Sequence, residues 1–348
     1  MSENVVFALD AMGSDHGPGV VVEGAVRFFD ETPKPVKQGV SVILTGDRDT
    51  LARFLTRAGG HKLPISIHHA SQVVGMDEHP SSAMRNKPDS SLAVMAGLQK
   101  SGTAQCMVSP GNTGAMMAHS VFALGTIPGI QRPAIAGSLP TMTNPSILLD
   151  LGANVDCKPE QLLRFAYMGS IYSRDVFGVK NPRVALLNVG AEPGKGTPAV
   201  QSAYERLSAS PLNFVGNLEG DGILKGEADV VVCDGFVGNV LLKFTESLTS
   251  LVGGTLYLEM KRNWASRLGY LFMKPSFNQL WKKLDTAEYG GAPLLGLNGV
   301  SIVAHGSSGS HAIKNALKVA LDFHRLGAVE RIRSSMAELI AKEKASGQ

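Results

Sequence analysis

The chain has 348 residues, of which 44% are hydrophobic, with 39 glycines and 18 prolines, a composition typical of a folded α/β protein and not of a disordered one. Its formal net charge is +3, but six basic and two acidic residues lie between Leu251 and Asp285, so the rest of the chain is slightly acidic. A basic patch confined to one segment argues against a general nucleic-acid surface and indicates one local anionic partner.

The cysteine pattern and the N-terminal stretch indicate the cellular compartment of the protein. Cys106, Cys157 and Cys233 include no Cys-x-x-Cys pair, so we expect no disulfide framework and no metal site, which indicates a reducing compartment. The N-terminal stretch lacks a signal-peptide pattern, and no run approaches the roughly 20 apolar residues of a membrane span. We therefore expect a cytoplasmic protein. Its length allows one large α/β unit or two domains, and we predict a single α/β domain over residues 1–348.

Strands alternate with helices from the start of the chain. The apolar run from Val5 to Leu9 predicts a strand that ends at Asp10, and a glycine-rich loop with Asp15 leads from it into a helix. A functional role and a turn or cap role remain open for both aspartates. Further strands at residues 40–44 and 65–70 keep the same rhythm, which predicts a parallel sheet.

A polar loop at residues 73–91 interrupts this rhythm. It carries Arg85 and Lys87, which suit an acidic or phosphorylated ligand, although a solvated loop has the same composition. The next strand, residues 104–108, runs into a glycine-containing helix start with small hydrogen-bonding groups. That start offers a site for an anion or a carbonyl oxygen, and N-capping of the helix is compatible with it. Its candidate residues are Ser109, Asn112, Thr113 and Gly114.

Four later strands also end in polar, glycine-containing loops. The candidates are Asn154 after residues 147–151, Asn188 and Lys195 after 184–187, Asp234 and Asn239 after 229–233, and His305 and Ser307 after 301–304. If the strands are parallel, these loops lie along one edge of one sheet and their polar groups can converge on a ligand.

Lys195 is the single lysine of a turn rich in glycine and proline. Such a turn presents free backbone N–H groups and a cation to an anion. It is not a P-loop, because no Gly-x-x-x-x-Gly-Lys-Ser/Thr is present. A surface turn with a solvated lysine is the alternative, since lysine is mostly an exposed residue type.

The segment 251–285 differs from the rest of the chain. It holds both tryptophans among the six cations, and its apolar residues fall at helical spacing: Trp264, Leu268, Leu271, Phe272 and Trp281. The pattern predicts two amphipathic helices divided at Pro275. An interfacial membrane anchor or acyl-chain site and a packed helical hairpin at a dimer interface both fit this pattern.

Six motifs, in order along nearly the whole chain, resemble those of one known family. They are DAMGSDHGP (Asp10 to Pro18), SPGNTGA (Ser109 to Ala115), LDLGANVDCKP (Leu149 to Pro159), NVGAEPGKG (Asn188 to Gly196), CDGFVGNV (Cys233 to Val240), and EYGGAPLLGL with VAHGSSG (Glu288 to Gly309). The family is that of the bacterial phosphate acyltransferases (the PlsX family), which make acyl phosphate from acyl-acyl carrier protein and inorganic phosphate for phospholipid synthesis.

The resemblance implies a three-layer αβα sandwich with a mostly parallel sheet, similar to isocitrate and isopropylmalate dehydrogenases and to phosphotransacetylase, with the amphipathic helical hairpin as an insertion. It also implies a homodimer, attached peripherally to the membrane and without a cofactor, whose product passes to a membrane glycerol-3-phosphate acyltransferase. It places the residues that match Lys195 and Asn239 in the active site. The other expected substrate- or phosphate-binding residues are Asp10, Gly13, Asp15, Arg85, Lys87, Ser109, Asn112, Thr113, Gly114, Asn154, Asn188, Asp234, His305 and Ser307.

Attack of phosphate on a thioester makes light chemical demands. The phosphate dianion is already a nucleophile, and a thiolate whose conjugate acid has a pKa of about 8.5 leaves readily. Positioning and preorganised donors remain as the tasks of the protein. Lys195 suits the phosphate and Asn239 suits the oxyanion, while the N–H groups of residues 111–114 can share either task.

Three alternatives remain open. Cys233 raises a covalent route, although no histidine lies close to it in sequence. A metal-dependent decarboxylating dehydrogenase of the same fold would need clustered aspartates for a divalent ion and arginines for a dicarboxylate, and neither pattern is visible. A non-enzymatic module that binds an acyl chain or the carrier protein would bind without turnover.

Overall fold

In the computed structural model, residues 4–284 and 290–346 are described. Asp285, the predicted end of the amphipathic segment, and Glu288, the first residue of the last motif, lie outside the described residues. The strands in chain order are β1 (Val5–Asp10), β2 (Val40–Gly46), β3 (Ile65–His69), β4 (Cys106–Ser109), β5 (Ala134–Ile135), β6 (Gly137–Leu139), β7 (Ser146–Leu149), β8 (Val184–Leu187), β9 (Phe214–Leu218), β10 (Val230–Val232), β11 (Ala292–Leu295) and β12 (Val300–Val303).

The helices connect these strands and cover the sheets. In chain order they are α1 (Pro18–Glu31), α2 (Lys34–Lys37), α3 (Arg48–Arg57), α4 (Pro80–Asn86), α5 (Ser91–Lys100), α6 (Thr113–Leu124), α7 (Pro159–Phe177), α8 (Pro198–Ser208), α9 (Gly220–Lys225), α10 (Gly235–Lys261), α11 (Trp264–Leu284), α12 (Ser310–Arg325) and α13 (Ala328–Ser346). The alternation of strands and helices confirms the predicted α/β class.

Among the described residues, the strands form two sheets. The order of the first is β3-β2-β1-β4-β12-β11-β5, and the order of the second is β6-β7-β10-β8-β9. All neighbouring pairs are parallel except those that β11 makes with β12 and β5, and the pair of β6 with β7. The mostly parallel arrangement is confirmed, but the expectation of one sheet edge is wrong, because β7, β8 and β10 belong to the second sheet.

The chain passes from one sheet to the other at β5 and β6, which are separated by one residue. β5 pairs with β11 of the first sheet, β6 pairs with β7 of the second, and Ala136 N between them donates to Pro293 O at 3.0 Å. Helices α7 and α12 also meet, with the rings of Tyr172 and Phe323 5.8 Å apart. One buried core cluster contains residues of both sheets, Phe7 and Val230 among them. The ends of the two sheets are thereby held close to each other.

The predicted pair of amphipathic helices divided at Pro275 is wrong, because the stretch with Trp264, Leu268, Leu271 and Phe272 and the stretch with Trp281 lie in the single helix α11, which follows the longer helix α10. Arg262 and Asn263 separate the helices, and α11 continues through Pro275. Pro275 is exposed, so water can replace the backbone hydrogen bond that a proline removes. Trp281 packs on Gly253 of α10, where an added Cβ would lie 2.8 Å from the ring.

Much of the apolar surface of this pair stays exposed. On α11 the exposed side chains are Trp264, Leu268, Leu271 and Phe272, with relative exposures of 79%, 48%, 64% and 78%. No described helix is both long enough and apolar enough to cross a membrane.

Candidate functional site

A cleft of about 980 Å³ lies between the ends of the two sheets. The loops that follow β4 and β12 contribute to it from the first sheet, and the loop after β7 and helix α10 contribute from the second. The polar part of its lining includes Thr113, Asn239, Lys243, Glu246, His305 and Ser307. Open α/β sheets bind ligands beyond the carboxyl ends of their strands, so the cleft is the candidate site.

Asp10 and Ser109 hold two loops of the first sheet together. Both side chains are fully buried, and Ser109 Oγ donates to Asp10 Oδ2 at 2.7 Å. The loops approach so closely that a Cβ added at Gly13 would lie 2.6 Å from Gly111 Cα. Asp15 is exposed, and its backbone N–H donates to Gly306 O at 2.9 Å. Asp10, Gly13 and Ser109 therefore shape the border of the cleft and do not line it.

Asn112 caps α6, and its side chain also forms hydrogen bonds with the polar loop before α4. Its Oδ1 accepts from Ala115 N at 2.9 Å, while its Nδ2 contacts the carbonyl oxygens of three residues between 75 and 78 at 2.8 to 3.2 Å. Thr113, the first residue of α6, lines the cleft. Gly114 faces Pro80, from which an added Cβ would be 2.8 Å away. This helix start thus combines the cap made by Asn112 with a position for Thr113 at the cleft.

The two cations of the polar loop differ. Lys87 is engaged within the loop, where it pairs with Glu78 and donates to Val73 O at 2.7 Å. Arg85 is exposed on α4. The described lining of the cleft includes neither side chain.

Asp150 and Asn154 form a buried hydrogen-bonded cluster in the turn after β7. Asp150 accepts from Ile135 N at 2.9 Å and from Asn154 Nδ2 at 2.9 Å, yet burial raises the pKa of its carboxyl. Asn154 O in turn accepts from Gly235 N at 2.7 Å. Asn154 therefore fixes the start of α10, and its side-chain Nδ2 is engaged by Asp150 and by Pro133 O within the protein.

The start of α10 places Asn239 at the cleft. Asp234 caps the helix, since its Oδ1 accepts from Val237 N at 2.8 Å. Asn239 lies in the second turn, is exposed and lines the cleft. It lies over Gly152, where an added Cβ would be 3.7 Å from Asn239 Oδ1. Within the described residues no hydrogen bond engages the Asn239 amide, so it is available to a ligand.

Lys195 lies on a loop that other side chains hold in place. Asn188 Nδ2 donates to Lys195 O at 3.0 Å, Gln201 Nε2 donates to Gly194 O at 2.7 Å, and Asn217 Nδ2 donates to Glu192 O at 2.8 Å. In the described part of the chain, no ion pair or hydrogen bond involves the exposed Lys195 ammonium. The described lining of the cleft does not include Lys195, although β8, the strand that precedes its loop, pairs with β10.

Lys243 is a residue of the cleft that the sequence analysis missed. Its Nζ lies 2.7 Å from His305 Nε2 and 2.9 Å from Glu246 Oε2. On the other side of the ring, Ser307 Oγ lies 2.8 Å from His305 Nδ1. The signal for Lys243 was its position four residues after Asn239, which places both on one face of a helix.

The buried cysteines bear on the covalent route. Burial, together with the nearby charges of Asp234 and Asp150, raises the pKa of the Cys233 thiol well above its usual range. Burial raises the pKa of Cys157 to about 12. A nucleophilic cysteine needs a thiolate, so this environment opposes the covalent route through Cys233.

Comparisons with known proteins cover nearly the whole chain. The family model described as "Fatty acid synthesis protein" matches residues 5–331. The chain is 50% identical over 315 residues to a phosphate acyltransferase of Heliobacterium modesticaldum, covering 90% of this chain and 92% of that one. It is 46% identical over 338 residues to a phosphate acyltransferase of Desulfitobacterium hafniense, covering 97% of this chain and 99% of that one.

Solved structures resemble the fold at low sequence identity. A phosphotransacetylase from Streptococcus pyogenes gives a TM-score of 0.61 at 17% identity, with 94% of each chain covered. The EutD phosphotransacetylase from Staphylococcus aureus gives 0.56 at 16% identity, with the same coverage. The expected similarity of fold to phosphotransacetylase is confirmed.

Proposed function

This chain belongs to the phosphate acyltransferase family and is an acyltransferase, and we propose that it moves an acyl group from acyl-acyl carrier protein to inorganic phosphate. The product is acyl phosphate for phospholipid synthesis. The observation that carries this proposal is the convergence of Asn239 and the donors of two other strand-end loops on one cleft.

The reaction is a direct displacement at the thioester carbonyl. An oxygen of HPO₄²⁻ attacks the carbonyl carbon, the C–O bond forms, and the C–S bond breaks. The thiolate that leaves takes the proton of the phosphate, so the products are the acyl phosphate dianion and the free thiol of the carrier protein. The thiolate is a good leaving group because its conjugate thiol has a pKa of about 8.5, so no covalent enzyme intermediate is required.

Asn239 is suited to the oxyanion that develops at the carbonyl. Its amide donates without adding charge, and it stands unengaged at the cleft while Asp234 and Asn154 fix the start of its helix. Donors held in place before the reaction stabilise developing charge without reorganisation, and this is the largest contribution in many enzymes. Thr113, which also lines the cleft, supplies a further hydroxyl.

Lys195 supplies a cation to the reacting phosphate. Its loop is anchored by Asn188, and its ammonium is not engaged by any described carboxylate. The neighbouring strands β8 and β10 are parallel, so the loops of Lys195 and Asn239 leave the same sheet edge. Binding of phosphate can bring the two side chains to one substrate, because the lysine stem is long and flexible.

We also infer a homodimer that attaches peripherally to the membrane and delivers acyl phosphate to a membrane glycerol-3-phosphate acyltransferase. An exposed apolar stripe on α10 contributes no residue to the described lining of the cleft; it consists of Phe236, Val240, Phe244, Leu248 and Leu251. The exposed apolar residues of α11 lie among the cations of the same helix pair. Contiguous exposed apolar surface favours protein or membrane contacts, and the basic residues favour an anionic lipid surface.

The test is incubation of the purified protein with palmitoyl-acyl carrier protein and phosphate, with acyl phosphate trapped as a hydroxamate. We expect phosphate-dependent hydroxamate with or without added magnesium, and none above background for Lys195→Ala, which keeps its fold because Lys195 is exposed. Absence of product from folded wild-type protein would contradict the acyl transfer. A folded and fully active Lys195→Ala variant would contradict the role of the lysine alone.

A further inference from the structure

Two donors face each other inside the cleft, at Lys243 and His305. The backbone N–H of Ser307 can only donate, and it lies 3.2 Å from His305 Nδ1, which therefore accepts. A neutral imidazole with an accepting Nδ1 carries its proton on Nε2. His305 Nε2 lies 2.7 Å from Lys243 Nζ, and an ammonium group has donors and no acceptor. The contact brings together two groups that both need an acceptor.

An anionic oxygen would satisfy both groups at once. Nearby, Glu246 Oε2 accepts one N–H of Lys243 at 2.9 Å, but that oxygen belongs to a side chain of the same helix and leaves the His305 proton unpaired. Lys243 is 48% exposed and His305 is exposed, so an ion from solution can reach them. Charge-assisted hydrogen bonds to oxyanions are among the stronger ones in proteins.

The position of this pair matches the reaction already proposed. Lys243 follows Asn239 by one helical turn on the face of α10 that lines the cleft. Side chains four residues apart on a helix have Cβ atoms about 5 to 6 Å apart, so an anion at Lys243 lies beside a carbonyl held at Asn239. Ser307 lines the same cleft, and its hydroxyl lies 2.8 Å from His305 Nδ1, so its single proton supports the accepting state of that nitrogen and leaves Nε2 as the donor that faces the anion.

We propose that Lys243 and His305 form the subsite that binds inorganic phosphate in the cleft, with one phosphate oxygen accepting from Lys243 Nζ and from His305 Nε2. This inference rests on the proposed acyl transfer to phosphate for its place in the reaction. In this proposal Lys243 and Lys195 have different roles. Lys243 holds the phosphate in the ground state, and Lys195 acts on the charge that develops during transfer.

The experiment measures the binding of inorganic phosphate to the full chain by titration calorimetry. Loss of one charge-assisted hydrogen bond predicts a dissociation constant about 10- to 100-fold higher for Lys243→Met. Lys243→Arg keeps the charge and should recover most of the affinity. The matched control is Lys225→Met, which removes an equally exposed lysine that is paired with Asp221 of its own helix, outside the cleft. It should bind phosphate as the wild type does.

Kinetics give the second readout. In the hydroxamate assay, Lys243→Met should raise KM for phosphate by a similar factor and leave KM for palmitoyl-acyl carrier protein unchanged. Phosphate binding by Lys243→Met at wild-type strength would overturn the subsite, whatever the assay shows. Weakened phosphate binding in that variant, together with no hydroxamate from the wild type, would keep the anion subsite and reject the proposed acyl transfer.

Discussion

Replacing Gly238 with alanine would force the start of α10 away from the turn that follows β7. A Cβ added at Gly238 would lie 1.9 Å from Asp150 O and 3.1 Å from Cys233 Sγ. Non-bonded heavy atoms prefer separations of about 3.5 Å or more, so the helix or the turn must move by more than about 1 Å. The clashing atom is the backbone oxygen of Asp150. It belongs to the buried hydrogen-bonded cluster of Asp150 and Asn154, so it cannot move away by rotation as a side-chain atom can.

The size of the effect follows from two opposing contributions. Alanine in place of glycine within a helix stabilises by roughly 0.5–1 kcal/mol, and overpacking a tight contact costs about 1–3 kcal/mol. We therefore expect Gly238→Ala to lower the free energy of unfolding by up to about 2.5 kcal/mol. A displacement of about 1 Å at a reacting group can cost 100-fold in rate, and α10 carries Asn239, so turnover should fall by about that factor.

The matched control lies on the same helix. An added Cβ at Gly254 meets no atom within 4 Å, so Gly254→Ala should be more stable by roughly 0.5–1 kcal/mol and should keep wild-type turnover. Urea unfolding followed by circular dichroism, at one protein concentration, and the hydroxamate assay measure both quantities. A Gly238→Ala variant with wild-type stability and turnover would refute the argument that this close contact positions α10.

Three further predictions address other parts of the molecule. Asn239→Ala should lower kcat on the order of 100-fold with little change in stability, measured in the same assay, and undiminished turnover would remove the amide from the oxyanion site. The pKa of Glu31 is lowered from 4.5 to about 2 by hydrogen bonds from Lys314 and Arg27, so its stabilising contribution is present above about pH 4.5 and is lost as the pH falls towards 2. Unfolding measured across that window should therefore be less pH-dependent for Glu31→Gln, and an identical pH dependence would contradict the pairing. Phe272→Glu should reduce co-sedimentation with vesicles that contain anionic lipid while leaving turnover on soluble substrate intact, and unchanged vesicle binding would place the membrane contact elsewhere.

Local sequence patterns were sufficient for most of the parallel strands and for many candidate residues, although they did not predict β5, β6 and β11. Apolar runs that end in glycine-containing loops marked β1, β4, β8 and β12, because a buried parallel strand is continuously apolar and its connection to a helix needs a tight turn. The same reading found Asn239 and His305 at the cleft. The apolar spacing also predicted that residues of α11 are helical, but not that the helix continues through Pro275.

Roles that depend on partners far along the chain were decided by the tertiary structure. Asn112 and Asn154 look equally suited to a ligand in sequence, yet both are occupied by backbone groups brought to them by the fold. The contact of Lys243 with His305 joins residues separated by 62 positions, and no local pattern encodes it.

The sequence by itself determined the strand and helix rhythm, the polar character of the strand ends and the family resemblance, because these follow from the residues nearest in the chain. Only the tertiary structure decided that the strands divide into two sheets and that the cleft lies between their ends. Strand pairing depends on which distant segments meet, as when β5 and β6 pass from one sheet to the other with a single residue between them. That choice is made by packing of the whole core, which no window of the sequence contains.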